Sequence, residues 1–382
     1  MEKKSLKIGM LGFGSMGRTH TFVIKNLPFF YPDLGFDVEV AGVCTTTIEK
    51  SKRVCDTYGI KIATVNEDDL IYSPDIDIID VCTPNIFHFD TLMKALDAGK
   101  HIYCEKPLCI TYEQARMVAE KAREKNVTCG VVFHNRHMAP LARAKQLVDE
   151  GRIGRILSFH AVYYHSSCAD PAKKAGWKQN RDICGGGVLF DLGSHVLDTV
   201  THLCGDVESV MGMEQIAYPT RLGMNGETWQ TNADEAFYML CRLPEGGCGT
   251  IVASKVHTGT NDDLAIEIYG ERGALKYSLM DPNWLYFYDN TTPDAPIGGE
   301  RGFTRIECVG RYEAPGGVFP SPKAPAGWLR AHSTSYMKFL SAVDCGEKFS
   351  PDFDQGARVQ RIMEAAYRSA ELGRFVDVGE IR

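Results

Sequence analysis

Lys7-Ile8-Gly9-Met10-Leu11-Gly12-Phe13-Gly14-Ser15-Met16-Gly17 is a short apolar run that turns at once into glycines and then into a helical pattern reaching about Lys25. The G-x-G-x-x-G spacing between a strand and a helix has a specific physical logic. The first glycine permits the tight turn, the second lets a pyrophosphate approach the backbone, and the third lets helix and strand pack closely. Glycines alone would make only a structural turn. Their context here points to a dinucleotide, NAD or NADP.

Outward from this stretch the chain alternates. Strands are expected at Val38–Val43, Asp77–Val81 (ending at Cys82-Thr83-Pro84-Asn85), His101–Cys104 and Thr128–Phe133. Helices are expected over Ile48–Tyr58 and from Thr111-Tyr112-Glu113-Gln114, a capping-box pattern, to about Lys125. This rhythm predicts an α/β fold with a doubly wound parallel sheet, whose ligands bind beyond the carboxyl ends of the strands. NAD-specific versions place an acid after the second strand, whereas this chain has Cys44-Thr45-Thr46-Thr47 there, with Lys50, Lys52 and Arg53 close by. Hydroxyls and cations tolerate a 2′-phosphate better than a carboxylate would, which tilts the expectation towards NADP. The alternative reading is a threonine-rich helix cap with solvated lysines.

From about residue 150 the pattern changes class. Arg155–Tyr164, Ala236–Leu243, Cys248–His257, Leu264–Tyr269, Ala274–Leu279 and Trp284–Tyr288 read as strands joined by short turns, which predicts an α+β domain with an open, largely antiparallel sheet. Gly299–Gly327 reads as a long loop, and Ser333–Val343 and Asp354–Leu372 as helices, the C-terminal one free to pack back on the N-terminal domain. The expected division is residues 1–136 for nucleotide and 137–382 for substrate binding and oligomerisation.

Composition supports these expectations by exclusion. The chain has 382 residues, 44% of them apolar, and a formal charge of −7 from 42 basic and 49 acidic side chains, which argues against nucleic acid and a polybasic membrane anchor. The thirteen cysteines include no C-x-x-C pair, so reduced thiols in a cytoplasmic protein are expected, most of them core residues. Cys44, Cys82 and Cys104 fall at strand ends, in the crevice or its support. The apolar start near Met1–Leu11 is too short for a signal peptide, and no run reaches the ~18 residues of a membrane helix.

Two clusters can carry chemistry. Glu105-Lys106-Pro107 places a lysine at the carboxyl edge of the parallel sheet, on a turn that proline can hold cis, although such a tripeptide is also a common surface turn. Gly185-Gly186-Gly187 leads through Asp191 to His195, and if this stretch is helical the two lie four apart on one face, a carboxylate orienting an imidazole for proton transfer. A capping aspartate beside a buried histidine is the bland alternative. No metal is expected, because no third ligand has a recognisable zinc spacing.

The glycine motif, Thr83-Pro84-Asn85 with His88, Glu105-Lys106-Pro107, the glycine run with Asp191 and His195, and Gly270-Glu271-Arg272-Gly273 together resemble the glucose-fructose oxidoreductase / inositol dehydrogenase / rhizopine catabolism (Gfo/Idh/MocA) family. The resemblance implies a Rossmann domain plus an α/β domain whose open sheet forms a homodimer or homotetramer, and NAD(P)-linked chemistry on sugars or cyclitols. It implies Lys106 and His195 as the catalytic pair with Asp191 orienting substrate: His195 the base, Lys106 the alkoxide stabiliser and a rival base. It further implies a cofactor site of Gly12, Phe13, Gly14, Ser15, Met16, Gly17, Thr45, Thr46, Thr83, Pro84, Asn85, His88, Glu105, Lys106 and Asn135. Tyr164, His165, Trp177, Lys178 and Arg181 are candidates for the sugar pocket, with core packing the alternative for Trp177. Thr45, where many members carry an acid, departs from the pattern. An NAD-dependent glycosidase working by transient ring oxidation and a non-catalytic nucleotide sensor are the competing expectations.

Overall fold

The computed structural model describes residues 3–310, 317–319, 321, 323–325 and 327–382. The apolar runs become β1 (Lys4–Leu11), β2 (Phe36–Cys44), β3 (Ile62–Thr64), β4 (Ile78–Val81), β5 (His101–Cys104) and β6 (Cys129–Val131). Between them lie α1 (Ser15–Phe30), α2 (Ile48–Tyr58), α3 (Asp68–Ile71), α4 (His88–Asp97) and α5 (Tyr112–Lys125). The strands form one parallel sheet in the order β3-β2-β1-β4-β5-β6. Because helices cover both faces, β4 is buried at every residue and β1 at its last four, which is why they read as continuous apolar runs. Thr47 caps α2 by accepting the Lys50 amide, and Thr111 caps α5 by accepting the Gln114 amide. In a parallel sheet every carboxyl end lies on one edge, so Gly12, Thr45, Cys82-Thr83 and Glu105-Lys106 emerge along the same rim. Lys106 follows the fifth strand rather than the fourth, because β3 is only three residues long.

The second set comprises α6 (Ala139–Asp149), β7 (Ile156–Tyr164), α7 (Arg181–Cys184), α8 (Ser194–Cys204), β8 (Ser209–Gln215), β9 (Thr220–Leu222), β10 (Thr228–Gln230) and β11 (Ala236–Arg242). It continues with β12 (Cys248–Ser254), β13 (Asp263–Gly270), β14 (Gly273–Ser278), β15 (Trp284–Asp289) and β16 (Phe303–Glu307). β9 and β10 form a small hairpin. A nine-stranded sheet runs β16-β15-β14-β13-β7-β12-β11-β8, closed by β17 (Val376–Asp377), with β7 and β12 parallel and the other pairs antiparallel. One face buries Phe159, Tyr163, Ile251 and Ile266, with α8 packed on β7 and β12, and the other exposes Met211, Met213 and Leu240. β16 lies inside the stretch read as a loop; residues 311–316, 320, 322 and 326 of that stretch are outside the described residues.

α9 (Trp328–Cys345) and α10 (Phe353–Leu372) end the chain. The contacts divide the molecule into two units, chiefly Met1–His134 with Trp328–Arg358, and Asn135–Tyr312 with Val359–Arg382. The first unit therefore takes α9, which packs against α1 and adds Tyr336, Phe339 and Leu340 to the core around Leu6, Ile8 and Met10. All thirteen cysteines are free thiols, eight of them buried. No described helix is long and apolar enough to cross a membrane.

Candidate functional site

Two glycines of the loop leave no room for a side chain and the one between them faces open space. Gly12 has φ +87°, and a Cβ there would stand 2.6 Å from the Cys82 carbonyl oxygen. A Cβ on Gly17 would stand 2.4 Å from the Gly12 carbonyl oxygen, whereas one on Gly14 would meet nothing within 4 Å. That open ground lies at the exposed start of α1, which has no side-chain cap and no acid in its first turn. Unfilled amides and a clear approach fit a pyrophosphate. Phe13 is buried against Tyr58, and Ser15 and Met16 begin the helix. Thr83 Oγ1 and both amide atoms of Asn135 are buried without a protein partner among the described residues, as expected of groups that a ligand or water satisfies.

We expect Gly14→Ala to leave the thermal midpoint within about 4 °C while weakening NAD(H) binding about tenfold or more, read by fluorescence titration. Unchanged affinity would remove Gly14 from the cradle.

After β2, Thr45 is buried and its hydroxyl is spent locally, donating to the Thr47 carbonyl and pairing with Ser51 Oγ at 2.8 Å. Thr46 is exposed. Burial pushes the neighbouring Cys44 thiol up to about 11, so it stays protonated.

On the same rim, Lys106-Pro107 is a cis peptide and the Lys106 amide donates to Glu105 Oε2 at 3.2 Å. His88, expected in the cofactor site, has its ring set among backbone carbonyls. Its Nδ1 lies 3.1 and 3.2 Å from the Pro107 and Leu108 carbonyls, and its Nε2 3.0 Å from the Thr83 carbonyl. Burial pushes its pKa down against those three carbonyls. The ring therefore lies between two strand-end loops, carbonyls face both of its nitrogens, and as a neutral imidazole it donates through one of them.

In the second unit, the glycine run ends in a π-helical turn, Leu189–Gly193, before α8 begins at Ser194. The stretch is therefore helical from Leu189 through Asp191 and His195, as their spacing of four residues requires if they are to share a face. Asp191 receives two ammonium groups, Lys178 Nζ at 2.9 Å and Lys255 Nζ at 2.8 Å. Burial alone would push the Lys255 pKa down, and Asp191 overrides it and raises it. His195 is buried, with the Tyr163 ring edge-on at 6.0 Å. Asp262 joins this group by accepting from Tyr163 Oη at 2.7 Å and lying 2.9 Å from His165 Nε2. Lys255, Tyr163 and Asp262 carried no sequence signal: Lys255 is 64 positions from Asp191, and no local spacing connects them.

The sugar-pocket candidates separate. His165 stands with this group. Tyr164, one residue after Tyr163 on a strand, points to the opposite face and stacks on His257 at 3.9 Å. Trp177 is 39% exposed under the Lys178 ammonium, which excludes core packing. Arg181 lies 4.1 Å over the Tyr367 ring and 3.6 Å from Glu214. The glycines themselves are a packing requirement: a Cβ on Gly187 would stand 2.2 Å from Asp234 backbone atoms, and Asp234 accepts the Gly187 and Leu189 amides. Asp198, four residues after Ser194, is a structural anion, paired twice with buried Arg136 at 2.7 and 2.6 Å.

Comparison with known proteins gives two family matches. A model described as the oxidoreductase family's NAD-binding Rossmann fold matches residues 6–133, and one described as the GFO/IDH/MocA C-terminal domain matches residues 141–276. The chain is similar to levoglucosan dehydrogenase of Pseudarthrobacter phenanthrenivorans, 28% identical over 99% of each chain. It is similar to D-glucoside 3-dehydrogenase of Escherichia coli, 26% identical over 90% of this chain and 91% of that one. A solved levoglucosan dehydrogenase in complex with NADH and levoglucosan superposes with a TM-score of 0.92 at 27% identity, covering 98% of this chain and 100% of that one.

Proposed function

This chain belongs to the GFO/IDH/MocA oxidoreductase family, whose NAD-binding Rossmann fold forms its first unit, and from that premise we propose that it moves a hydride between a nicotinamide and a secondary alcohol or ketone of a sugar, sugar derivative or cyclitol. Similarity along the whole chain to levoglucosan dehydrogenase and to a glucoside dehydrogenase favours a ring hydroxyl of a pyranose. The observation that carries the reading is Lys106, set on the rim of the parallel sheet that also bears the open glycine loop, where such sheets bind their ligands.

The nicotinamide supplies the hydride acceptor. The protein must then take the hydroxyl proton and stabilise the developing alkoxide. His195 is assigned the proton, Lys106 the alkoxide, and Asp191 a substrate hydroxyl. Lys178 and Lys255 hold the Asp191 carboxylate from two sides, which suits a group that must accept in one fixed direction. Thr83, Pro84, Asn85, Glu105 and Asn135 are assigned to the cofactor, and His165, Trp177 and Lys178 to the sugar.

NADP is the preferred form in this proposal. No carboxylate occupies 45–47 to repel a 2′-phosphate, and Lys50, Lys52 and Arg53 follow on α2. A screen of sugars and cyclitols, levoglucosan among them, against NAD and NADP tests the proposal. Reduced nicotinamide must accumulate with at least one pyranose; no reduction with any would refute it. Higher kcat/KM with NAD than with NADP would overturn the cofactor preference alone.

The proposal extends to a cytoplasmic homodimer or homotetramer assembled through the open sheet face, where Met211, Met213 and Leu240 are exposed. Sedimentation should give a mass of at least twice 42.4 kDa; a monomer would contradict it.

A further inference from the structure

Beneath the glycine loop, the first unit buries His20 and Asp80, to which the reaction above assigns no role, and joins them to Glu105. His20, on the inner face of α1, and Asp80, on β4, are both fully buried, and His20 Nδ1 lies 3.0 Å from each Asp80 oxygen. Tyr336 Oη donates to Asp80 Oδ2 at 2.8 Å and the Cys82 thiol to Oδ1 at 3.3 Å. On the far side of the ring, His20 Nε2 faces Glu105 Oε1 at 3.4 Å. Neither of these two buried atoms makes a hydrogen bond to any described residue, so each is the other's counter-charge. The second Glu105 oxygen accepts the Lys106 amide, and the Glu105 amide is tied into the sheet through the Val81 carbonyl.

We propose that Asp80, His20 and Glu105 form a buried positioning relay for Lys106, in which the imidazolium of His20 bridges two carboxylates and so fixes the turn that carries the lysine. This rests on the assignment of Lys106 made above. Burial alone would push the His20 pKa down, but Asp80 overrides it and holds it well above its ordinary value, so both ring nitrogens carry protons. The groups facing the ring are Asp80 from β4, Cys82 after it, Tyr103 and Glu105 from β5 and its end, and His332 and Tyr336 from α9. His20, Asp80 and Cys82 also lie close enough to hold a metal ion. Burial keeps the Cys82 thiol protonated, and the histidine nitrogen and carboxylate already satisfy each other, which favours the proton-bearing relay.

Asp80→Asn tests the relay, since it keeps the shape and the Tyr336 contact while removing the charge that holds His20 protonated. The ratio of wild-type to variant kcat, per NADH-binding site, should rise from near 1 at pH 6 to about 10 or more at pH 8.5, as His20 loses its proton and Glu105 its counter-ion. Cofactor affinity should stay within about threefold. In the wild type, imidazole nitrogen NMR should find His20 doubly protonated at pH 8. A ratio independent of pH, or a neutral His20 at pH 8, overturns the relay. Zinc retained through chelation would favour the metal reading over it. Failure of the wild type to reduce nicotinamide with any sugar defeats the assigned function instead, and leaves the NMR result to judge the relay.

Discussion

Lys106→Ala lowers kcat by about three orders of magnitude and leaves nucleotide affinity within about threefold, because the lost ammonium acts on charge that develops only during the reaction. A preorganised cation in a water-poor site contributes far more to the transition state than to the ground state, so KM for the sugar changes much less than kcat. Steady-state kinetics on variant and wild type, with nucleotide binding by fluorescence, check this. The fold should tolerate the change: Lys106 follows the ladder of β5, and its amide bond to Glu105 and the His88 contact with the Pro107 carbonyl involve backbone that alanine keeps. Near-normal turnover would remove Lys106 from the chemistry, and with it the relay proposed beneath it.

The second large effect falls on His195. If it takes the hydroxyl proton, His195→Ala lowers kcat by about two to three orders of magnitude and abolishes the limb of the kcat–pH profile that reports the base. Were Lys106 the base, the limb would persist and the loss would be smaller. The pH profile of the variant therefore decides between the two assignments, which rate alone cannot do. His195→Ala leaves a void beside Tyr163 and Val196, so turnover is to be normalised to the folded, nucleotide-binding fraction.

The fold was legible wherever local chemistry enforces it. Glycines at 12, 14 and 17 each meet a distinct steric condition, Thr47 and Thr111 cap the helices they precede, and the alternating runs from Ala236 to Tyr288 became strands of one sheet, with β7 between β12 and β13. Elements without such a signature went unread. β3 has three residues, α4 begins in a short turn after Pro84, and β16 lies in a glycine-rich stretch where pairing with β15, not its own pattern, makes it a strand.

The candidate site was legible by residue type but not by partner. Asp191 and His195 stand at helical spacing in the sequence, but nothing near them announces the two lysines that hold the carboxylate. His88 offers an imidazole that looks available until three backbone carbonyls are found around it. Tyr163 and Tyr164 are indistinguishable by type, and strand alternation alone sends one to His195 and the other to the opposite face. These are long-range facts, set by which strands pair, and no window of sequence contains them.

The account's central claim is a net hydride transfer from a sugar carbon to the nicotinamide, and isotopic label tests it most directly. A pyranose substrate deuterated at the oxidised carbon should place its deuterium on C4 of the reduced nicotinamide, with ketosugar and reduced cofactor formed in equal amounts. Release of an aglycone with no net cofactor reduction, or deuterium lost to solvent, would contradict it.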